Sequence, residues 1–390
     1  MRPLLIGLSP NTTSDDVRLS LSLLANPLSW TTGPMLQKLT TSLSTYFNGA
    51  SVFLFDSGRT SLTTVLQALD LQSDDEVLLQ AFTCIAVPQA VKKADATPIF
   101  VDIGSDLNMD LFDLEKKITS KSRAIIVQHT FGAPANMDDA LAIAKKHRLF
   151  TIEDCAHSLG GTWRGKKLGT IGDAAILSFG RDKVISGVDG GVLLINNLKI
   201  AESVKSAWTK THFPARGEVV RSLLHPLITM AGRRLYGRFF FGQALIGGAR
   251  AVGLLEKKNF GARLPNALAA LAFHQWEKLE EMNARRRTIS KRYREDLNVP
   301  GIIHPQQEND VYLRYPILLD DPENLRAFAK SQGILLGDWY NSAIGYTHGL
   351  CPQAERACQS IVNLPTMSWM TDKDADRIIG MLKEWLHGRH

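Results

Sequence analysis

The sequence has few cysteines, no long apolar run and no large excess of charge of one sign. Its 4 cysteines form no CxxC pair and show no metal-ligand spacing, which argues against both a disulfide framework and a zinc site. No stretch approaches the ~18 apolar residues of a membrane span. The apolar run in MRPLLIGLSP is shorter than that of a signal peptide. We therefore expect a cytoplasmic protein without a bound metal.

The charge balance also limits the class of partner. Lys and Arg number 45 against 39 Asp and Glu, so the formal net charge is only +6. This excess favours anionic ligands but is far from the basic surface of a nucleic-acid binder. At ~100–200 residues per domain, the 390 residues are enough for two or three domains.

Short apolar runs alternate with helix-period segments such as MDDALAIAKKH between residues 50 and 200. This alternation predicts an α/β fold with a mainly parallel central sheet covered by helices. Ligands of such sheets bind at the carboxyl ends of the strands, where this chain places Gly58, Asp154, Ser178 and Lys183. The runs are SVFLF (51–55), EVLLQ (76–80), TPIFVDI (97–103), AIIVQH (124–129), LFTIED (149–154), AAILSF (174–179) and GVLLIN (191–196).

We predict a large domain over residues 1–250 and a smaller C-terminal α+β domain over 251–390. The segment 214–250 is atypical, with six arginines against one glutamate. Its apolar residues recur at roughly helical spacing, which predicts an amphipathic helix, although Pro226 weakens a continuous one. Such an insert can line a pocket or a dimer contact, the alternative we favour, or it can touch an anionic membrane.

Asp154 follows an apolar strand, where an unpaired carboxylate is costly to bury. It can cap a helix, bind a metal or face a cationic ring nitrogen, and no further cluster of histidines and carboxylates supports the metal. Pyridoxal 5'-phosphate requires a carboxylate beside its ring nitrogen and a lysine for its Schiff base. Lys183, on the next strand-end loop, is placed for the second role.

The turn DSGRTSL offers a cradle for the cofactor phosphate. Gly58 permits a tight turn there, and the amides of Arg59 and Thr60 at the start of a helix can bind an anion. Ser178 can add a hydroxyl group. Each feature is common by itself, and the combination in this order is specific.

The sequence resembles the DegT-type sugar aminotransferases, which are fold type I pyridoxal phosphate enzymes that aminate keto-sugars attached to nucleotides. The resemblance covers nearly the whole chain. The segments that carry it are WTTGP (30–34), SGRTSL (57–62), FTCIAV (82–87), TPIFVDI (97–103), IEDCAHSLGG (152–161), GTIGDAAILSFGRDK (169–183), GVDGG (187–191), RLPNALAAL (263–271) and NLPT (363–366).

The resemblance implies three catalytic residues. Lys183 matches the lysine of the Schiff base, and Asp154 matches the partner of the pyridinium nitrogen. His157 matches a Gln or His that contacts the ring or its phenolic oxygen.

The resemblance also implies residues that hold the cofactor. Ser178 matches a phosphate ligand, and 58–60, which are Gly58, Arg59 and Thr60, fall on the phosphate turn. Arg263 lies in the segment that relatives contribute across a two-fold interface, and it could reach the phosphate of the other subunit. There are two departures from the family pattern: Cys84 replaces an aromatic that stacks on the ring, and Arg59 replaces a threonine.

The implied activity is that of a homodimeric aminotransferase with a ping-pong mechanism, with glutamate as amino donor and a nucleotide keto-sugar as acceptor. One alternative is a sugar dehydratase that uses the same cofactor, although Lys183 counts against it. Another is a non-catalytic regulatory or surface-binding relative. A nicotinamide dehydrogenase should show GxGxxG after its first strand, and the sequence has none there.

Overall fold

The computed structural model describes residues 3–7, 9–236, 241–251, 253–255, 259–305, 311–340, 347 and 349–388. Residues 237–240, which belong to the atypical segment, lie outside this part of the chain. No helix among the described residues is both long and apolar enough to cross a membrane.

A seven-stranded sheet forms the centre of the molecule. Each of the seven predicted runs is one of its strands. One strand, Gly191–Ile195, runs antiparallel to both of its neighbours, and every other neighbouring pair is parallel. In spatial order the strands are β2 (Ser51–Phe55), the antiparallel β10 (Gly191–Ile195), β9 (Ala174–Ser178), β6 (Phe150–Asp154), β5 (Ser122–Gln128), β3 (Glu76–Gln80) and β4 (Thr97–Val101).

Helices cover both faces of this sheet because its strands are apolar on both sides. Ala175 and Leu177 of β9 pack on one face against α2 (Pro34–Tyr46) and α10 (Asn266–Trp276). Ile176, between them, packs on the other face against α3 (Gly58–Ala68) and α7 (Ala201–Lys210). The alternation follows from the two-residue period of a strand.

Further helices complete the described part of the fold, and some of them also pack against the sheet. They are α1 (Ser14–Leu24), α4 (Ala86–Lys93), α5 (Leu111–Lys117), α6 (Met137–His147), α8 (Arg216–Leu235), α9 (Phe241–Ala251), α11 (Leu279–Asp296), α12 (Pro322–Ser331), α13 (Pro352–Ser360) and α14 (Asp372–His387). Single 3₁₀ turns occur at Pro27–Ser29, Thr130–Gly132 and Leu198–Ile200.

The C-terminal part of the chain has its own small sheet. In it β11 (Arg314–Leu318) pairs antiparallel with β13 (Ile361–Pro365), and α11, α12 and α14 pack in the same apolar cluster. Near the N-terminus β1 (Leu4–Leu5) pairs with β12 (Ile334–Leu335). A hairpin of β7 (Thr162–Trp163) and β8 (Lys166–Lys167) completes the strands of the described residues. The division at residue 250 stays a prediction.

The atypical segment forms a helix that packs on the protein. Helix α8 is continuous through Pro226, and it buries Val219 and Leu223 in the cluster that covers one face of the sheet. The sequence suggested that Pro226 weakens this helix. The burial of one face of α8 stabilises it despite the missing amide, since tertiary packing contributes more to helix stability than local propensity does.

We predict that Leu223→Ala destabilises the protein by about 2–5 kcal/mol, because the side chain is fully buried and its removal leaves a cavity. Leu235→Ala, at the end of the same helix, is the control, because Leu235 is 37% exposed and its truncation should cost about 0.5 kcal/mol or less. Urea unfolding of both variants measures the difference. Equal, small losses would contradict the packing of α8 on the core.

Candidate active site

The predicted phosphate turn lies where β2 passes into α3. Ser57 is the N-cap of α3, and its hydroxyl oxygen accepts a hydrogen bond from the amide of Thr60 at 3.2 Å. The hydroxyl of Thr60 donates to Asp56 at 2.5 Å. A Cβ at Gly58 would lie 3.2 Å from the Cβ of Ser178, so the turn has little room for a larger residue. The amides at the start of α3 can bind an anion here.

Arg59 lies within the turn, and Ser178 lies beside it. The guanidinium of Arg59 lies 4.4 Å from the centre of the Phe260 ring, and its buried Nε makes no hydrogen bond within the described part of the chain. Ser178 ends β9, and its hydroxyl oxygen accepts the amide of Gly180 at 3.4 Å. Both residues are therefore close to where the turn could bind an anion, and their contact with the cofactor phosphate stays a prediction.

Asp154 is buried at the carboxyl end of β6. One of its carboxylate oxygens accepts the amide of Ala156 at 3.0 Å. Burial raises the pKa of Asp154, and the positive charge of Lys183 only partly offsets this. A buried carboxylate with a raised pKa gains stability from a further cationic partner.

Lys183 and His157 are in direct contact. The Lys183 Nζ lies 2.7 Å from the His157 Nε2, and the His157 Nδ1 lies 2.9 Å from the hydroxyl of Tyr340. The Lys183 Nζ supplies the hydrogen of this contact, so the His157 Nε2 accepts it and the His157 Nδ1–H donates to the Tyr340 oxygen. Burial lowers the pKa of His157 well below its ordinary value, and the charges of Lys183 and Arg314 act in the same direction. His157 is therefore neutral.

Aromatic rings surround His157. Its ring is stacked with Phe131 and with Tyr340, at centroid distances of 6.0 and 5.6 Å. Phe82 contacts the Tyr340 ring edge-on at 5.5 Å. The half-buried Cys84 packs beside this group and acts electrostatically on Tyr340. The aromatic that Cys84 replaces is thus absent, while three other rings lie close by.

Arg314 and Asp182 form an ion pair next to Lys183, in which the Arg314 side chain is buried and the Asp182 side chain is 33% exposed. Arg314 is 2% exposed, donates to the Asp182 carboxylate and lies 3.5 Å from the centre of the Trp339 ring. Although burial acts to raise the pKa of Asp182, the charges of Arg314 and Lys183 hold it below its ordinary value. The carboxylate of Asp182 is therefore ionised.

Arg263 is bound within its own chain. Its Nε donates to the Trp208 carbonyl at 3.1 Å and to the Thr211 hydroxyl at 3.3 Å, and its Nη2 donates to the Thr209 carbonyl. These contacts hold the C-terminal end of α7. The expected reach of Arg263 across a dimer interface stays a prediction.

The residues present fit pyridoxal phosphate. The anion site at the start of α3 suits its phosphate group, and the tight approach of Gly58 to Ser178 shapes that site. Asp154 presents a buried carboxylate that a cationic ring nitrogen would satisfy. Lys183 presents an amine among the same strand ends. Together they are the three groups that a pyridoxal phosphate enzyme needs.

The family model confirms this class. The chain matches the DegT/DnrJ/EryC1/StrS aminotransferase family over residues 20–383, and it belongs to that family. The expected fold class, the assignment as an aminotransferase and the cofactor, pyridoxal phosphate, are thereby confirmed.

Individual relatives differ in substrate. A GDP-perosamine synthase of Escherichia coli O157:H7 is 30% identical over 66% of this chain and 62% of its own length. A UDP-N-acetyl-3-dehydro-alpha-D-glucosamine 3-aminotransferase of Acidithiobacillus ferrooxidans is 25% identical over 85% of this chain and 83% of its own. A solved aminotransferase structure from Brucella abortus has a TM-score of 0.78 at 22% identity, covering 99% of each chain, and shows the same fold.

Sequence reasoning missed Tyr340, Arg314 and Asp182. Tyr340 and Arg314 come from the C-terminal part of the chain. Arg314 lies 132 residues after its partner Asp182. Asp182 precedes Lys183 directly, and that position was the one available signal. The side chains meet because the C-terminal sheet packs against the strand ends.

We predict that His157 makes folding stability depend on pH. Its pKa is lowered in the folded state, so below its unfolded pKa of about 6.5 the unfolded chain binds a proton that the folded chain does not. The free energy of unfolding should fall by about 1–2 kcal/mol between pH 7 and pH 5 through this residue. His157→Gln removes this part of the fall.

Urea unfolding of the cofactor-free protein at both pH values measures the effect. His387→Gln is the control, because His387 lies exposed at the end of α14. Parallel pH profiles for the wild type and His157→Gln would show that folding does not lower the pKa of His157.

Proposed function

We propose that the protein transfers an amino group from glutamate to a keto-sugar carried by a nucleotide, as a cytoplasmic homodimer with a ping-pong mechanism. The contact of the Lys183 Nζ with the His157 Nε2, beside the buried carboxylate of Asp154, carries the proposal. It brings together a base, a positioning group and a partner for a ring nitrogen. A binding protein with this fold has no need of all three.

The residues divide the chemistry among them. Bound pyridoxal phosphate supplies an electron sink for the electrons of a carbon–hydrogen bond. Asp154 keeps the ring nitrogen protonated. The Lys183 Nζ takes the proton from the α-carbon of the donor in the first half-reaction and gives one to the sugar carbon in the second. Neutral His157 accepts a hydrogen bond from the Lys183 amine and thereby orients it.

Arg314 supports an amino acid as donor. Its guanidinium has five N–H donors, of which the described contacts use Nη2, toward Asp182. A planar guanidinium can bind a carboxylate through two parallel hydrogen bonds. We assign Arg314 to the carboxylate of the donor, since this cation is buried beside Lys183.

The relatives support a nucleotide-linked acceptor. The names of two of them contain a GDP-linked and a UDP-linked sugar. Amination of a keto-sugar is the reaction that the second name states for that protein. The same class of acceptor is the simplest assignment for this chain.

We predict that sodium borohydride attaches the cofactor irreversibly to the peptide that contains Lys183. Lys183→Ala should abolish transamination and keep the fold. Asp154→Asn should slow turnover by about two orders of magnitude or more, because a neutral amide cannot hold the ring nitrogen protonated. Peptide mass spectrometry and a glutamate assay measure these effects.

Matched controls are Lys199→Ala and Asp138→Asn, which change exposed residues outside the site. A label on any lysine other than Lys183 would overturn its assignment. Near-normal turnover of Asp154→Asn would show that Asp154 has only a structural role, through its contact with the Ala156 amide.

We predict that incubation with glutamate and a panel of keto-sugar nucleotides yields an aminated sugar and 2-oxoglutarate in equal amounts. Mass spectrometry of the nucleotides and an enzymatic assay of 2-oxoglutarate measure the two products. Loss of water from a sugar without consumption of glutamate would instead show a dehydratase. No turnover of any sugar, together with no reaction with glutamate, would favour a non-catalytic relative.

A further inference from the structure

A second cavity lies apart from the phosphate turn. It has a volume of about 1030 Å³ and lies between α8, the N-terminal segment, α12 and α14. Four cations line it, namely Arg233, Arg234, Lys330 and Arg377, and no carboxylate does so within the described part of the chain. None of the residues of the predicted cofactor site lines this cavity.

Two carboxylates in the helices beside the cavity bind partners elsewhere. Asp16, after the start of α1, accepts hydrogen bonds from Thr13 and Gln275. Asp376 of α14 pairs with Arg292. The positive charges around the cavity therefore have no acidic group among its lining residues to balance them. Like charges in one cavity repel each other and attract an anion.

Two of the four cations are fixed by backbone groups. Arg233 donates to the carbonyls of Ser9 and Pro10 at 3.3 and 3.4 Å and also to that of Thr12. Arg377 donates to the Gln332 carbonyl. These contacts fix the positions of both guanidinium groups beside the cavity.

The other two cations are available for a ligand. Arg234 and Lys330 are exposed, and neither side chain makes a hydrogen bond or an ion pair with any described residue. They belong to α8 and α12, on two sides of the cavity. A ligand with adjacent negative groups could contact both at once.

We propose that this cavity binds the diphosphate group of a ligand. Several positive charges suit adjacent phosphates better than a single carboxylate, and the volume exceeds that of one phosphate. Trp369 and Tyr236 also line the cavity and offer apolar surface to the rest of the molecule. The diphosphate can come from a nucleoside diphosphate or from a lipid headgroup, and the site is independent of the proposed transamination.

Calorimetric titration of the holoenzyme with inorganic pyrophosphate tests the site. Pyridoxal phosphate then fills the turn at 57–60, and the binding that is lost on substitution of Arg234 and Lys330 reports on the second cavity. We expect one pyrophosphate per chain at this cavity, with an affinity that falls as salt rises. The double variant Arg234→Gln/Lys330→Gln should weaken binding by about tenfold or more, because it removes two charge-assisted contacts.

The charge-matched control is Lys145→Gln/Lys199→Gln, two exposed lysines outside the cavity. It should leave the affinity within about twofold. Arg234→Lys/Lys330→Arg keeps both charges and should retain binding, which separates lost charge from a folding defect.

Absence of pyrophosphate binding, or equal weakening in the two Gln variants, would overturn the proposal. Where pyrophosphate binds, uridine diphosphate and vesicles of phosphatidylcholine that carry a polyprenyl diphosphate identify the source. The source is the ligand, uridine diphosphate or the vesicle, that binds more tightly than pyrophosphate and loses this affinity in Arg234→Gln/Lys330→Gln.

Discussion

Two adjacent carboxylates at the end of β6 have opposite environments, and the active site depends on this contrast. Glu153 accepts hydrogen bonds from the amides of Gly169 and Gly172 at 2.9 and 2.8 Å and pairs with His129 at 3.2 Å. Although burial acts to raise its pKa, these partners hold the pKa of Glu153 below its ordinary value. Glu153 is thus a satisfied structural group.

Asp154, one residue later, points to the other face of the sheet. It has one backbone donor, and burial raises its pKa. The structure therefore leaves the second carboxylate in need of a cation while the first is satisfied. The cofactor of the family brings a ring nitrogen that supplies this cation, and Lys183 lies close enough to respond to the same charge.

The local parts of this arrangement follow from the sequence. The seven apolar runs are short and bounded by turn residues, so they predict the strands, and strand-end positions predict that Gly58, Asp154, Ser178 and Lys183 meet at one edge. The contacts of His157 with Tyr340 depend on how the C-terminal part packs. No spacing in the sequence encodes that packing.

The backbone around Lys183 is held by residues from three distant parts of the chain. Asn11 donates to the carbonyl of Lys183, and the fully buried Arg286 of α11 donates to that of Val184 at 2.7 Å. Gln275 of α10 accepts the amide of Ser186 at 2.7 Å. Burial lowers the pKa of Arg286 to about 9, which shows how unfavourable its position is for a charge.

Burial of an arginine lowers the stability of the fold, and its hydrogen bonds offset part of this cost. Here they fix the loop that carries Lys183, so the backbone is ordered before any ligand arrives and only the side chain has to move. A catalytic amine placed in this way loses little conformational entropy when substrate binds. The Asn11 contact extends the same support to the N-terminal segment, whose next residue, Thr12, is bound by Arg233 of α8. Helix α8 therefore supports the loop of Lys183 through Thr12 and Asn11.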